Sequence, residues 1–365
     1  MFDNILRVLD NDPGIHYHLQ CFVDDTFLLI ACNSADEFEI ETYAAINAVL
    51  QFLQSNGLQL NADKTEFILF DRRRPTIRNQ QPCDTITVGD TLVHRKRNIT
   101  YLGVIIDDKL WWKTHLLHSI QKAKKYLPIL TAVCHNTYGY SVWARRIMYK
   151  ATVNAVIGYG SSLFVHKINL KEIVDELRKL HLQITRNIAR LYKGTSYIAS
   201  TVIADSMPLE IAIEARALTW LARRRTQYLE AEEVEAAVDR IQQIALNKWN
   251  EEWMSSDHGT WMRKFFPTIQ DRQQLDIDED LDFWVAQALS DKGCFGSFLC
   301  SINRRNHATC RCGYQQETAE HVLTACERFR EGRPGTPLTP LNPDHINYLR
   351  SVIRQLWEEE RLLPY

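Results

Sequence analysis

Leu19-Gln20-Cys21-Phe22-Val23-Asp24-Asp25-Thr26-Phe27-Leu28-Leu29-Ile30-Ala31-Cys32 is the stretch on which the fold reading turns. Residues 19–23 and 26–32 are largely apolar and are interrupted only by the two aspartates. They predict a tight β-hairpin with Asp24-Asp25 at its turn. Two carboxylates at such a turn can point into one site. Oxygen ligands there suit Mg²⁺, which shares its remaining positions with water and phosphate oxygens. Two such ions ~3.5–4 Å apart can activate an attacking hydroxyl and stabilise a leaving pyrophosphate. Asp-Asp is also a good turn dipeptide in its own right, so the pair read alone leaves both meanings open.

Working outward, Ser34 and Glu37 have capping-box spacing, and Ile40, Tyr43, Ala44, Asn47, Leu50 and Leu53 follow at helical intervals until Gly57 stops the run. A strand is predicted at 65–70, then an Arg-rich loop (Arg72-Arg73-Arg74), then strands near 85–93 and 99–106. From Leu110 to about Trp253 the periodicity is mainly helical, with breaks at Gly139, Gly158-Tyr159-Gly160, Gly194 and Pro208. Residues 332–343 read as a Pro/Gly linker and 345–361 as a last helix. The fold class expected is α+β.

At 365 residues the chain has room for two or three domains. Its 45% apolar and 24% charged content is that of a folded protein. It has no apolar run long enough to span a membrane, and its first residues lack a basic-then-apolar secretory pattern. Nine cysteines, an odd number, do not read as a disulfide framework and suggest a reducing compartment. The net charge of −2 gives no argument for a polyanion partner, but its distribution does. Residues 95–150 hold eleven Lys/Arg against Asp107 and Asp108, a local +9. Residues 227–285 hold fourteen Asp/Glu against five Lys/Arg, a local −9. Such polarity offers one face to a polyanion, although solvated helix faces would look the same.

Within the basic stretch Trp111, Trp112, His115, Tyr126 and Trp143 interleave with Lys113, Lys122, Lys124, Lys125, Arg145 and Arg146. The cations can neutralise phosphates; the aromatics, at helical spacing, read as core. Arg223-Arg224-Arg225 is a further basic cluster. Near the C-terminus, Cys310-x-Cys312-x8-His321-x4-Cys326 offers three thiolates and one imidazole within seventeen residues. Cys₃His is a closed tetrahedral zinc shell. The other reading is free cysteines beside a helical histidine. Cys294 and Cys300 lie too far back to be first choices, and Lys292, Arg304, Arg305, His307 and Arg311 supply cations beside the motif.

Three segments in order carry a resemblance: Phe22-Val23-Asp24-Asp25, then Gly57-Leu58-Gln59-Leu60-Asn61-Ala62-Asp63-Lys64-Thr65, then Tyr101-Leu102-Gly103-Val104-Ile105-Ile106-Asp107. Together they resemble the reverse transcriptases of non-LTR (LINE-type) retrotransposons, nearest the arthropod jockey and ribosomal-DNA-inserting kinds. The Cys-x-Cys-Gly-x-x-x-Glu-Thr-x-Glu-His-Val-Leu-x-x-Cys segment resembles the C-terminal cysteine–histidine motif of the same proteins. The resemblance implies a partial palm (an antiparallel sheet plus a helix) at 1–108, a thumb-like helical region at 109–190 and a helical connector at 191–290. A zinc-knuckle region at 291–331 and a linker with terminal helix at 332–365 would follow. It implies that Asp24 and Asp25 are catalytic Mg²⁺ ligands and that Lys64 approaches the incoming nucleotide's phosphates. Tyr101, Leu102 and Gly103 would lie on the strand that grips the primer's 3′ end. RNA template and DNA primer, or an RNA–DNA hybrid, would be the partners, and the nucleus a compatible setting. The family also uses a third carboxylate on a palm strand well before the hairpin. Only 23 residues precede Asp24, and Asp3, Asp10 and Asp12 do not fall on a plausible strand. The expectation is a degenerate or truncated element that does not polymerise DNA alone, with a separate chain a conceivable source of the rest of the palm. The alternative is a non-catalytic RNA/DNA-binding protein built on the basic helices and the zinc knuckle.

Overall fold

The computed structural model describes residues 17–23, 25–70, 83–132, 139–224, 230–275, 281–335, 337–339 and 342–361. Asp24, the Arg72–Arg74 loop, Arg225 and the segment before Tyr17, with Asp3, Asp10 and Asp12, lie outside these. The chain is a mixture of small sheets and many helices, in two compact units, one ending at His115 and the other beginning at Leu116.

In the first unit, β1 (Tyr17–Phe22) and β2 (Asp25–Ile30) form an antiparallel hairpin. Its register pairs Leu19 with Leu28 and Phe22 with Asp25. Asp25 is thus the first residue of β2 and not part of the turn, where the Asp24-Asp25 reading placed it. In this register Leu19 lies opposite Leu28, and Tyr17, Leu19 and Cys21 share the face that the following helix covers. That helix, α1 (Ala35–Ser55), closes a small core of Leu19, Val49 and Phe52, with Leu28, Ala48 and Leu53 around it.

Both ends of α1 are chemically specified. The Ser34 hydroxyl accepts from the Glu37 amide at 3.1 Å, and the Glu37 carboxylate accepts from the Asn33 amide at 2.8 Å. At the other end the Leu58 amide reaches back to the Leu53 carbonyl and the Gly57 amide to the Gln54 carbonyl. This double bond pattern needs a left-handed residue, and Gly57 has φ +69°. A Cβ at Gly57 would meet nothing within 4 Å. Gly57→Ala is therefore a pure test of backbone strain, expected to cost about 1 kcal/mol in urea unfolding.

The remaining strands correct the sequence reading. The strand predicted at 65–70 is only β3 (Phe67–Ile68). The run at 85–93 is a hairpin of β4 (Thr85–Val88) and β5 (Thr91–Lys96), turned at Gly89, where φ is +59°. The run at 99–106 is likewise two strands, β6 (Asn98–Tyr101) and β7 (Val104–Asp107). They are joined by Leu102 (φ +46°) and Gly103 (φ +79°), a pair of left-handed residues suited to a two-residue hairpin loop. β3 pairs parallel with β5, so the strands make three small sheets and not one antiparallel sheet.

The second unit is helical. After α2 (Lys113–Lys124), which begins at the end of the first unit, its longer helices are α3 (Val142–Tyr149), α4 (Lys171–Ile188), α5 (Tyr197–Ile203), α6 (Leu209–Arg224), α7 (Ala231–Ser255), α8 (Phe283–Ser290) and α9 (Pro343–Arg361). Trp249 and Trp253 of α7 are fully buried, and their indole N–H groups donate to the Thr201 hydroxyl and the Phe266 carbonyl. The last helix starts at Pro343, inside the expected linker, because proline suits the first helical turn. Leu338 of that linker is buried in the core that α9 helps to form. No helix among the described residues is long and apolar enough to cross a membrane.

Candidate catalytic hairpin and metal centre

Asp25 opens β2 and is exposed at the tip of the first hairpin. Val23 beside it has φ +57°, unusual for a β-branched residue, and is exposed, as is Phe22. The second hairpin comes to this one. The Tyr101 ring lies 4.9 Å from that of Phe27, two residues along β2 from Asp25. Burial, then the charge of Asp25, pushes the Tyr101 phenol above its ordinary pKa. The structure thus brings Tyr101, and the Leu102-Gly103 turn next to it, to the aspartate end of β2. Tyr101-Leu102-Gly103 were expected on a strand; they form a strand end and a hairpin tip. Lys64 is exposed on a 3₁₀ turn capped by Asn61, and its ammonium makes no ion pair among the described residues.

The six expected nucleic-acid cations separate into two groups. Lys113, Lys122 and Lys125 are exposed. Arg145 is fully buried and donates to the carbonyls of Tyr140 and Asn187 at 2.8 and 2.9 Å. It occupies the inward stripe of α3 with Val142 and Tyr149, so the expectation that it meets a polyanion is corrected. Arg146 pairs with Asp205 at 2.8 Å and Lys124 with Glu176 at 3.0 Å, so their charges are already offset. The aromatic reading changes too. Trp112 is buried as expected of core, whereas Trp111 and Trp143 are 58% and 56% exposed.

The Cys/His segment folds into a compact ligand set. The ligand atoms of Cys310, Cys312, His321 and Cys326 all lie within 4.8 Å of one another. Cys310 Sγ and Cys326 Sγ are 3.7 Å apart, and Cys312 Sγ is 3.2 Å from His321 Nε2. Around a tetrahedral ion with Zn–S bonds of 2.3 Å, sulfurs would stand about 3.8 Å apart, so the donors fit zinc in type and spacing. Gly313 (φ +92°) turns the chain after the second thiol, and the Cys310 amide donates to the Tyr314 carbonyl. Tyr314 stacks on the His321 ring at 4.2 Å and fixes its plane. Burial holds the imidazole toward its neutral, metal-binding form and pushes the Cys310 thiol up to about 12. A bound cation would displace that proton.

A buried carboxylate supports the centre, and its role was not read from the sequence. Glu317 is almost fully buried and accepts from the Gly296 amide at 3.1 Å and from Arg305 at 3.0 Å. Arg305 also approaches Glu360, and Arg311 pairs with Glu359 at 2.9 Å, both on α9. These two cations beside the motif tie the knuckle to the last helix. Lys292 lies over the Phe298 ring, while Arg304 and His307 are exposed. Cys310 and Cys326 join Ala288, Phe295, Val352 and Ile353 in one core. The signal was a glutamate inside the Cys/His span with arginines on both sides.

Comparison with known proteins gives first a similarity to one class. Residues 1–106 match the family described as reverse transcriptase (RNA-dependent DNA polymerase). Within that class the chain is similar to Pol polyproteins of type-1 R1 elements. It is 23% identical over 341 residues to the Retrovirus-related Pol polyprotein from type-1 retrotransposable element R1 4 of Nasonia vitripennis, covering 86% of this chain and 84% of that one. It is 22% identical over 347 residues to the putative 115 kDa protein in type-1 retrotransposable element R1DM of Drosophila melanogaster, covering 91% of this chain and 33% of that one. For the R1 Pol polyprotein of Bradysia coprophila the figures are 20%, 87% and 32%. The chain therefore spans about a third of the two longer relatives. No solved structure matches it. It resembles a LINE-type, non-LTR reverse-transcriptase region of the R1 kind.

Proposed function

We propose that this chain forms the catalytic-hairpin, thumb-like and Cys/His part of a retrotransposon reverse transcriptase and holds an RNA template with a DNA primer. Asp24 and Asp25 are its candidate metal-facing carboxylates, Lys64 its candidate phosphate contact, and Tyr101, Leu102 and Gly103 its candidate grip on the primer end. The observation that carries the reading is the meeting of the two hairpins, with Tyr101 on Phe27 beside Asp25. A primer end held by one hairpin would then lie within reach of the carboxylates on the other. Lys113, Lys122 and Lys125 supply exposed positive charge for the nucleic-acid backbone.

Polymerisation by this chain alone is expected to be absent. Nucleotidyl transfer through two Mg²⁺ needs more carboxylate ligands than an Asp24-Asp25 pair supplies by itself. A separate polypeptide could supply them. The test is an extension assay with Mg²⁺, an RNA template and a DNA primer, beside a binding titration with RNA–DNA hybrid. Binding that weakens steeply with salt, without extension, is the expected result. Extension abolished by Asp24→Ala would overturn the inactivity; no binding at low salt would overturn the nucleic-acid role. The exposed lysines also favour the second reading, a protein that binds nucleic acid without catalysing. A supplied palm segment from a relative that restores Asp25-dependent extension would decide for the first.

A further inference from the structure

The connection from β7 to α2 is built more firmly than a linker requires. The Asp107 carboxylate is buried and accepts three backbone amides: Lys109 at 3.2 Å and Trp111 at 2.9 Å on one oxygen, Trp112 at 2.7 Å on the other. Leu110 and Trp112 are held at φ +53° and +62°, where bulky side chains seldom sit. Such outliers persist only where the surroundings over-determine them, and they gather at functional sites. His115 pins the start of α2, its Nδ1 accepting from the Ile105 amide at 3.2 Å. The product of this bracing is an indole pointed outward. Trp112 is buried, but Trp111 is 58% exposed, and the Lys109 ammonium lies 4.9 Å from its ring centroid.

The geometry points to Trp111 as a stacking platform for an unpaired base, with Lys109 placed to meet the adjoining phosphate; this inference rests on the proposed nucleic-acid role. An indole has a face that any base can stack on, and interleaved aromatics and cations are how proteins hold single strands without sequence preference. The occupant is a single-stranded stretch of RNA or DNA next to the primer–template. Proximity supports this choice. The platform stands at the Asp107 end of the hairpin whose other end is Leu102-Gly103. Three residue steps of β-strand separate Val104 from Asp107, about 10 Å, a length covered by about three stacked nucleotides. One nucleic acid can therefore touch both ends of the hairpin. The cation fixed over the ring and the nearby Lys113 match a polyanion and not an apolar partner.

The test measures binding of the full chain to a labelled RNA–DNA hybrid with a single-stranded overhang and to the same hybrid made blunt. Trp111→Ala is expected to lower affinity for the overhang hybrid about 10-fold and to leave the blunt one unchanged. Trp111→Phe should keep most of the affinity. Lys109→Ala should reduce the slope of log affinity against log salt by about one. Because Trp111 is exposed, the alanine variant should melt at the parent temperature, and this is checked first. Unchanged overhang binding in Trp111→Ala, or equal loss on both hybrids, would overturn the platform alone. Failure of the unmutated chain to bind either hybrid would overturn the nucleic-acid role and the platform with it.

Discussion

Removing one candidate metal ligand of the Cys/His set is expected to be the most damaging single change in the second unit. Cys310→Ser and Cys326→Ser each break the ligand set at a thiol packed in the core, since these residues are 2% and 0% exposed. Structural zinc binding contributes about 10–16 kcal/mol to folding in isolated zinc-finger peptides. Even a fraction of that is large beside a domain stability of about 5–15 kcal/mol. Cys312→Ser separates the causes, because Cys312 is exposed and its loss removes a ligand while disturbing little packing. If metal is what holds the knuckle, all three variants lose it and melt at similarly lowered temperatures. If packing dominates, Cys312→Ser melts near the parent. Elemental analysis of the reduced parent should give one zinc per chain. A content near zero in folded protein would remove the metal centre and leave a cluster of free thiols.

The knuckle and the hairpin were legible in the sequence for different reasons. Ligand spacing and a short turn are local properties, so Cys310, Cys312, His321 and Cys326 could be assembled from the sequence and do converge. The caps of α1 are equally local, and Ser34, Glu37 and Gly57 behave as read. Runs of β-favouring residues were less reliable. Gly89 and Leu102-Gly103 each split one expected strand into a hairpin, because left-handed residues turn the chain without changing its hydrophobicity. The register that pairs Phe22 with Asp25 leaves Asp25 on β2 and not in the turn, a one-residue difference that both readings of the apolar alternation allow. Charge was the least informative. Lys122 and Arg145 look alike in a basic stretch, yet one is exposed and the other lies inside α3's buried stripe. Arg305 and Arg311 show in the sequence only as cations beside the Cys/His motif, because the acidic residues of the last helix that meet them lie up to 55 positions away.

Acidification is expected to weaken the second unit through His181, which is fully buried on α4. Its Nδ1 lies 3.1 Å from the Tyr197 hydroxyl and its Nε2 3.0 Å from the Ser206 hydroxyl, while Tyr149 stacks on its ring. Burial drives its pKa down to about 3, so the folded protein holds it neutral. The unfolded chain takes up this proton near pH 6.5. Between pH 6.5 and 3 the unfolded state therefore binds one more proton than the folded state, and stability falls as the pH is lowered. The contribution is complete above pH 6.5 and declines by about 3 kcal/mol by pH 4. Protonation of the thiolates, were the Cys/His set to hold a metal, would act in the same direction, so the parent's pH dependence alone does not assign the effect. His181→Gln does, because glutamine has hydrogen-bonding groups but does not titrate. The variant is expected to be less stable at pH 7.5, yet its urea midpoint should fall less steeply than the parent's between pH 6.5 and 4, the slopes differing by one proton. Parallel slopes would mean that His181 is protonated in the folded protein, and the buried neutral network of Tyr149, Tyr197 and Ser206 would have to be abandoned.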